Sequence, residues 1–144
     1  MRTLLHTTLT ASTIEYDPSV PCLIDTVREF LLSDELRTHM NRGLELLIEK
    51  KQIHEQIGWL ANTHSVSPLF EDDLKWIAED WTPRAELAGV RHIALVTPHD
   101  NIAEMNVEVY ENHLEIATPG GLIIKRFLDF ESAAAWLKRS MDKS

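Results

Sequence analysis

Apolar and β-branched residues along the first third of the chain predict three β-strands. The segments "TLLHTTLTA" and "TIEYDP" are rich in Thr and β-branched residues, and "AS" between them indicates a weak turn. "PCLIDTVREF" is mostly apolar, which is typical of a strand in the middle of a sheet. Pro21 suits the first position of that strand, where no backbone donor is needed.

A helical pattern then runs from Ser33 to about Lys51. Ser33 with the acids behind it is an N-cap signal, and the lysines at the end suit a helix C-terminus. Gly43 lies in the apolar stripe, where it weakens the helix but permits close packing on a sheet. The stripe consists of Leu36, Met40, Gly43, Leu44 and Leu47.

Strands and helices alternate from this point. Residues 56–63, "QIGWLANT", predict a strand. Ser67 as N-cap and Pro68 as first residue predict a helix that ends at residue 81. Its core stripe consists of Phe70, Leu74, Ile77 and Trp81.

The second half of the chain continues the alternation. Thr82 and Pro83 predict a short second helix that Gly89 ends, and residues 90–98 predict a strand. Residues 102–116 fit both helical and alternating spacing, and the pattern changes somewhere within 102–121. We favour a helix for them because it makes a right-handed crossover between parallel strands.

The strand "LIIKRFL" and a helix capped by Asp129 complete the chain. The order βββαβαβαβα predicts an α/β fold, in which helices pack on one mixed sheet of five to six strands. No repeat or linker interrupts the pattern, so we expect residues 1–144 to form a single domain.

Composition narrows the class of protein. The chain has 144 residues, 44% of them hydrophobic and 26% charged, as in ordinary globular domains. Its net charge of −9 would repel a polyanion, so we expect no nucleic-acid partner. No segment has the ~18 consecutive apolar residues of a membrane span, so we expect no integral membrane association. The lone Cys22 excludes an intramolecular disulfide, fits a cytoplasmic location and is expected in the core.

Three stretches resemble the SpoIIAA-like family, which is related to STAS domains and to the CRAL–TRIO lipid-binding domain. They are "WLANT", "DDLKWIAEDWTPRAELAGVRHIALV" and "FESAAAWL", and the resemblance covers about residues 12–140. It implies a STAS-like fold and a small regulatory or ligand-binding module, often dimeric, and no motif in it is catalytic.

STAS anti-sigma antagonists carry a phosphorylatable Ser at a helix N-terminus, in a "DSSG"-type turn. The matching segment here is "NTHSVSPLF", so the resemblance implies Thr63 and Ser65 as candidate phosphorylation sites, with Ser67 beside them. The acidic residue and the "SSG" of the motif are absent. A role as the N-cap of the next helix explains why a serine stands at position 67, without any phosphorylation.

Trp76 is the main candidate contact residue, because it lies outside the core stripe of its helix whereas Trp81 belongs to that stripe. An aromatic side chain between carboxylates is a partner contact or the wall of a groove, unless a neighbouring element covers it. Arg84 either pairs with Glu79 or Asp80 or presents its guanidinium to an anionic head group. The face of Trp76 also carries Leu69, Asp73 and Asp80.

The seven histidines form no metal-binding motif, so we expect no metal and no cofactor. His64 follows a strand and precedes a helix, where ligands of α/β sheets bind, and His99 with Asp100 follows another strand. Two imidazoles and a carboxylate would suit proton transfer or a metal. An enzyme that uses these three residues therefore stands as an alternative.

The sequence favours a non-enzymatic module that binds a protein partner or a small apolar ligand. The expected groove lies between helix 68–81, loop 63–67 and the strand end near His99. A homodimer whose seam is the face of Trp76 is also expected, and a purely structural homodimer is a further alternative. The candidate contacts are His64, Leu69, Trp76, Arg84 and His99.

Overall fold

The computed structural model describes residues 2–7, 12–27, 32–63, 70–97, 101–117 and 122–142; at Thr63, 101–103 and 114–117 it describes the backbone only. In this part of the chain, strands and helices follow the predicted order βββαβαβαβα. The strands are β1 (Thr3–Thr7), β2 (Thr13–Asp17), β3 (Cys22–Val27), β4 (Gly58–Thr63), β5 (His92–Val96) and β6 (Ile123–Phe127). The helices are α1 (Ser33–Lys51), α2 (Glu71–Trp76, Ile77–Trp81 and Thr82–Leu87), α3 (Asn101–Ala117) and α4 (Phe130–Asp142).

The six strands form one mixed sheet in chain order, β1-β2-β3-β4-β5-β6. Strands β1, β2 and β3 are antiparallel neighbours, and β3 to β6 are parallel. The predicted α/β fold is therefore confirmed, including the central place of apolar β3. One register row crosses the sheet from His6 through Ile14, Asp25 and Ala61 to Leu95.

Helices α1 and α2 cover one face of the sheet. Trp81 of α2 packs edge-on against Trp59 of β4, with ring centroids 4.8 Å apart, and its Nε1 donates to Met40 O of α1 at 2.8 Å. The assignment of Trp81 to the core is confirmed. Burial of two large aromatic rings is a major part of the stability of this face.

Helix α4 covers the opposite face, and Cys22 lies in the core beneath it, fully buried as expected. Asp129 caps α4 as predicted, since its carboxylate accepts from the backbone N–H of Ser132 at 2.7 Å. Helix α3 packs on α2, where Tyr110 meets Leu74 and Ala78. The helical interpretation of residues 102–116 is therefore correct.

Gly43 sets how closely α1 approaches the sheet. A Cβ atom at this position would lie 2.5 Å from Trp59 Cη2 and 2.9 Å from Ile14 Cδ1. Carbon atoms in contact normally lie about 3.5–4.0 Å apart. The expectation that Gly43 permits close packing is confirmed.

Helix α2 contains a turn of π-helix at Ile77–Trp81, and Pro83 accounts for it. In a regular α-helix the ring of Pro83 would crowd the carbonyl of Glu79 and leave it without an N–H partner. The helix widens instead, so that the backbone N–H of Thr82 donates to the carbonyl five residues back. The predicted short helix from Thr82 is present as the segment Thr82–Leu87, and the π turn joins it to the preceding segment, since Trp81 and Thr82 keep helical dihedral angles.

Two boundary predictions and one burial prediction are wrong. Helix α2 begins at Glu71 rather than Pro68, with Phe70 as N-cap, and Phe70 is exposed rather than in the core. The N-cap of α1 is Leu32, because the Ser33 hydroxyl donates to Asp73 at 2.8 Å instead. Gly89 does end α2 as predicted, with a φ of 112° that favours glycine.

Charged residues follow the helix dipoles. Every helix begins at the carboxyl edge of the parallel strands, and every described first turn carries an acidic residue. Basic residues occupy the last turns of α1, α2 and α4, towards the amino edge. The amino edge is therefore where cations gather in this acidic protein.

None of the helices, over the residues that the structure describes, is long and apolar enough to cross a membrane.

Candidate functional site

Trp76 lies between two arginines at the seam of α1 and α2. The guanidinium carbon of Arg37 is 5.2 Å from the centre of the indole ring, and that of Arg84 is 5.8 Å from it. Cation–π contacts of this kind each contribute about 0.5–1 kcal/mol at exposed sites. We call these three residues the arginine–tryptophan stack, in which the indole is partly exposed.

The carboxylate of Asp73 joins the two helices beneath this stack. Asp73 is only 1% exposed, accepts a hydrogen bond from Ser33 and lies 3.5 Å from the guanidinium of Arg37. The expectation that Asp73 shares an exposed face with Trp76 is therefore wrong. The reason is that α1 docks against the first turn of α2, which a helical wheel of α2 alone does not show.

Arg84 is bound to two side chains of the protein itself. Its Nε donates to Asp80 Oδ1 at 2.8 Å, and its Nη2 donates to Asn41 Oδ1 at 2.7 Å. Glu79, the other expected partner, instead lies 3.0 Å from a ring nitrogen of His113. Pairing of Arg84 with Asp80 is confirmed, and this pairing holds the arginine–tryptophan stack in place.

The other predicted contact residues cannot be placed beside Trp76. His64, Ser65 and Leu69 lie outside the described residues, as do His99 and Asp100. Thr63 is the last residue of β4, and only its backbone is described. The predicted groove at the carboxyl edge and the alternative acid–base site therefore stay predictions.

A buried ion pair that the sequence reasoning missed joins α1 to the sheet. His39 Nε2 donates to Asp25 Oδ1, and the two residues are 0% and 5% exposed. Burial disfavours a charged imidazole, but the charge of Asp25 and the hydrogen bond to it outweigh burial and raise the pKa of His39 above its ordinary value. His39 Nδ1 is buried without a hydrogen-bond partner.

Two signals in the sequence could have shown this pair. Asp25 interrupts the apolar run of β3, and His39 lies next to Met40 in the apolar stripe of α1. An acid in a central strand needs a buried partner, and a histidine on the helix above is a suitable one. Burial lowers the pKa of the neighbouring His6, and the charges of His39 and Arg42 lower it further.

A cleft of about 670 Å³ opens at the amino edge of the sheet, opposite the predicted groove. It lies where β4, β5 and β6 begin, between the C-terminal ends of α1, α2 and α4. We call it the amino-edge cleft. Its lining residues are Lys51, Glu55, Gln56, Gly89, Arg91, His92, Ile123, Trp136 and Ser140.

The aromatic wall of this cleft is formed by His92 and Trp136, whose rings meet edge-on with centroids 5.6 Å apart. Burial lowers the pKa of His92, which favours the neutral imidazole, and its Nδ1 is buried without a hydrogen-bond partner. A buried polar atom without a partner costs about 1–3 kcal/mol.

The cleft also holds a cation with no protein partner in the described part of the chain. Lys51 ends α1, and its aliphatic stem passes Gly89 so closely that a Cβ there would lie 2.7 Å from Lys51 Cε. Lys51 forms neither an ion pair nor a hydrogen bond through its ammonium group with the described residues. Arg91, by contrast, donates from Nη1 to Glu86 O and Val90 O.

The two sites differ in what they can do chemically. His39 and Asp25 are sealed from solvent, so they stabilise the fold and cannot reach a substrate in this conformation. The amino-edge cleft is open and offers aromatic surface with uncommitted polar groups. Among the described residues, no group of three His, Cys, Asp or Glu side chains is placed to hold a metal ion.

Comparisons with protein-family models, with curated proteins and with solved structures found no match to this chain. The resemblance to the SpoIIAA-like family therefore rests on the three quoted stretches and the order of elements.

Proposed function

We propose that this domain is a non-enzymatic module that binds a small molecule in the amino-edge cleft. One observation carries the proposal: in this cleft, aromatic surface adjoins polar atoms that have no partner among the described residues. Ligand sites typically combine a mainly apolar wall with a few placed polar groups, in volumes of about 300–1,000 Å³. In the arginine–tryptophan stack, by contrast, the charges of Arg37 and Arg84 are paired with Asp73 and Asp80, although Arg37 Nε is buried without a hydrogen-bond partner.

Three features of the cleft support binding rather than catalysis. His92 is the one imidazole among its lining residues, and no Cys or Asp lines it. The lining hydroxyl of Ser140 donates to Trp136 O at 2.9 Å, so it is engaged with the backbone of its own helix. A nucleophile activated by an adjacent base is therefore missing from the described lining.

The proposal is tested by native mass spectrometry of the purified protein, followed by denaturation of the same sample. An added mass that vanishes on denaturation would show a co-purified ligand. Trp136→Ala should lower the occupied fraction, because it removes the aromatic wall, whereas Trp76→Ala should leave it unchanged. Retention of ligand in Trp136→Ala, or its loss in Trp76→Ala, would place the site elsewhere.

Protein binding is the second part of the proposal. The partly exposed indole of Trp76 would make the contact, either with another protein or with a second copy of the chain. The same native spectra report the oligomeric state. If Trp76→Ala converts a dimer to a monomer, the surface of Trp76 is the dimer interface. A dimer that persists in Trp76→Ala would exclude this surface as the dimer interface. We also propose that the domain is SpoIIAA-like and STAS-like and that the protein is cytoplasmic.

A further inference from the structure

We infer that the ligand of the amino-edge cleft is a small aromatic carboxylate, and this inference rests on the proposed function. Its ring would lie against Trp136 and Ile123, and its carboxylate would pair with the ammonium of Lys51. Each of these three residues lines the cleft.

The cationic side of the cleft favours an anion. Lys51 and Arg91 face a single acid there, Glu55, and Glu55 is exposed whereas Lys51 is half-buried. A half-buried charge is less screened by solvent than an exposed one, so the field of Lys51 dominates. The lining thus has two cations and one acid, although the chain as a whole has a net charge of −9.

The dipoles of the helix ends around the cleft attract Lys51, but their carbonyls do not hydrogen-bond its ammonium group. The carbonyls at the end of α1 accept from the backbone N–H groups of residues 52–54, and those at the end of α2 accept from residues 88–90. Arg91 Nη1 adds a second donor to Glu86 O. Because these carbonyls are already satisfied, the ammonium of Lys51 is left for an external group.

The apolar side of the cleft favours a flat ring. Trp136 is partly buried between His92 and Phe127, at centroid distances of 5.6 and 5.7 Å, so its indole is fixed in orientation. Ile123, the first residue of β6, is 53% exposed and extends this surface. A planar aromatic group buries more area on such a wall than a flexible chain does at the same entropic cost.

The test uses matched pairs of aromatic acids and their neutral amides, such as 2-naphthoate and 2-naphthamide. Binding is followed in ¹H–¹⁵N NMR spectra through the indole N–H of Trp136, whose signal is assigned by its loss in Trp136→Phe. The indole signal of Trp76 serves as the reference that should not move. We expect the acids to bind about tenfold more tightly than the amides, as charge-assisted hydrogen bonds do.

Two variants in the cleft probe its charge in opposite directions. Lys51→Met keeps most of the stem and removes the charge, so it should abolish the preference for acids. Glu55→Gln removes the opposing charge and should strengthen acid binding severalfold. Both variants must retain the wild-type pattern of backbone signals, which shows that the fold is intact.

Each outcome decides between the two proposals. Equal binding of acids and amides at Trp136 would overturn the ligand class and leave the small-molecule function standing. Shifts that spare Trp136 would move the site elsewhere. If no compound in either series perturbs the spectrum at millimolar concentration, and native spectra show no bound mass, both proposals fall.

Discussion

Replacing Gly43 with Ala tests how the core fixes the position of α1. The new methyl group would lie 2.5 Å from Trp59 Cη2, 3.2 Å from Trp59 Cζ3 and 2.9 Å from Ile14 Cδ1. To restore ordinary contact, helix and indole must separate by about 1 Å. Trp59 is 1% exposed and Ile14 is 0% exposed, so neither side chain can swing into solvent.

Two opposing effects set the size of the change. Overpacking of a dense core costs about 1–3 kcal/mol, and the contact distances at Gly43 place this case at the upper end. Ala gains about 1 kcal/mol over Gly in a helix interior. We therefore expect Gly43→Ala to lower the free energy of unfolding by about 2 kcal/mol, or the melting temperature by about 5–8 °C.

The assay is urea and thermal unfolding followed by circular dichroism, for wild type, Gly43→Ala, Trp59→Phe and the double variant. Phenylalanine lacks the distal ring atoms that the new methyl group would meet. The cost of Gly43→Ala should therefore fall below about 1 kcal/mol in the Trp59→Phe background. A Gly43→Ala protein as stable as wild type, or an equal cost in both backgrounds, would refute this account of the close approach.

Three further predictions concern buried groups. Because the pKa of His39 is raised in the folded protein, its pairing with Asp25 stabilises the fold fully below the ordinary value of 6.5 and less as the pH rises through the raised value. Urea unfolding at pH values from 5 to 9 should show that the free energy of unfolding declines with pH in wild type relative to Asp25→Asn. Parallel curves of unfolding free energy against pH would exclude this contribution. Trp81→Ala should lower the free energy of unfolding by about 3–5 kcal/mol, whereas Trp76→Ala, at a half-exposed position, should lower it by about 1–2 kcal/mol. Equal losses in the two variants would contradict the assignment of Trp81 alone to the core. Cys22 should resist Ellman's reagent in the native protein and react at once in denaturant, because burial raises the pKa of its thiol; rapid native reaction would show that the core beneath α4 opens.

Local patterns were sufficient for most of the fold. The order of elements, the central place of β3 and the cap at Asp129 each depend on residues close together in sequence. The role of Gly43 could also be predicted, because a glycine in the apolar stripe of a helix indicates that the helix closely approaches the element packed against it. These features follow from backbone preference and periodicity, which the chain shows without its tertiary contacts.

The errors arise where one element alters another. The helix predicted from Thr82 and Pro83 is present, but the sequence pattern does not predict the π turn that joins it to the preceding segment of α2. Asp73 was placed on an exposed face, but Ser33 and Arg37 of α1 enclose it. The enclosure of Asp73 depends on packing between helices, which the periodicity of one segment does not contain.

The amino-edge cleft could not be predicted from the sequence, for a related reason. Ligands of α/β sheets usually bind at the carboxyl ends of the strands, and this rule directed attention to His64 and His99. The amino-edge cleft instead combines residues from α1, β5 and α4. Lys51 and Trp136 are far apart in sequence, and no motif joins them.

The sequential order of the strands has a consequence for how the chain folds as it is synthesised. Each strand from β2 onward pairs with the strand made immediately before it. No strand therefore waits for a partner that has yet to leave the ribosome, and each new crossover extends a sheet whose earlier strands are already available. The growing edge of the sheet is exposed to other chains only until the next strand is made, whereas no later described strand covers the outer edge of β1.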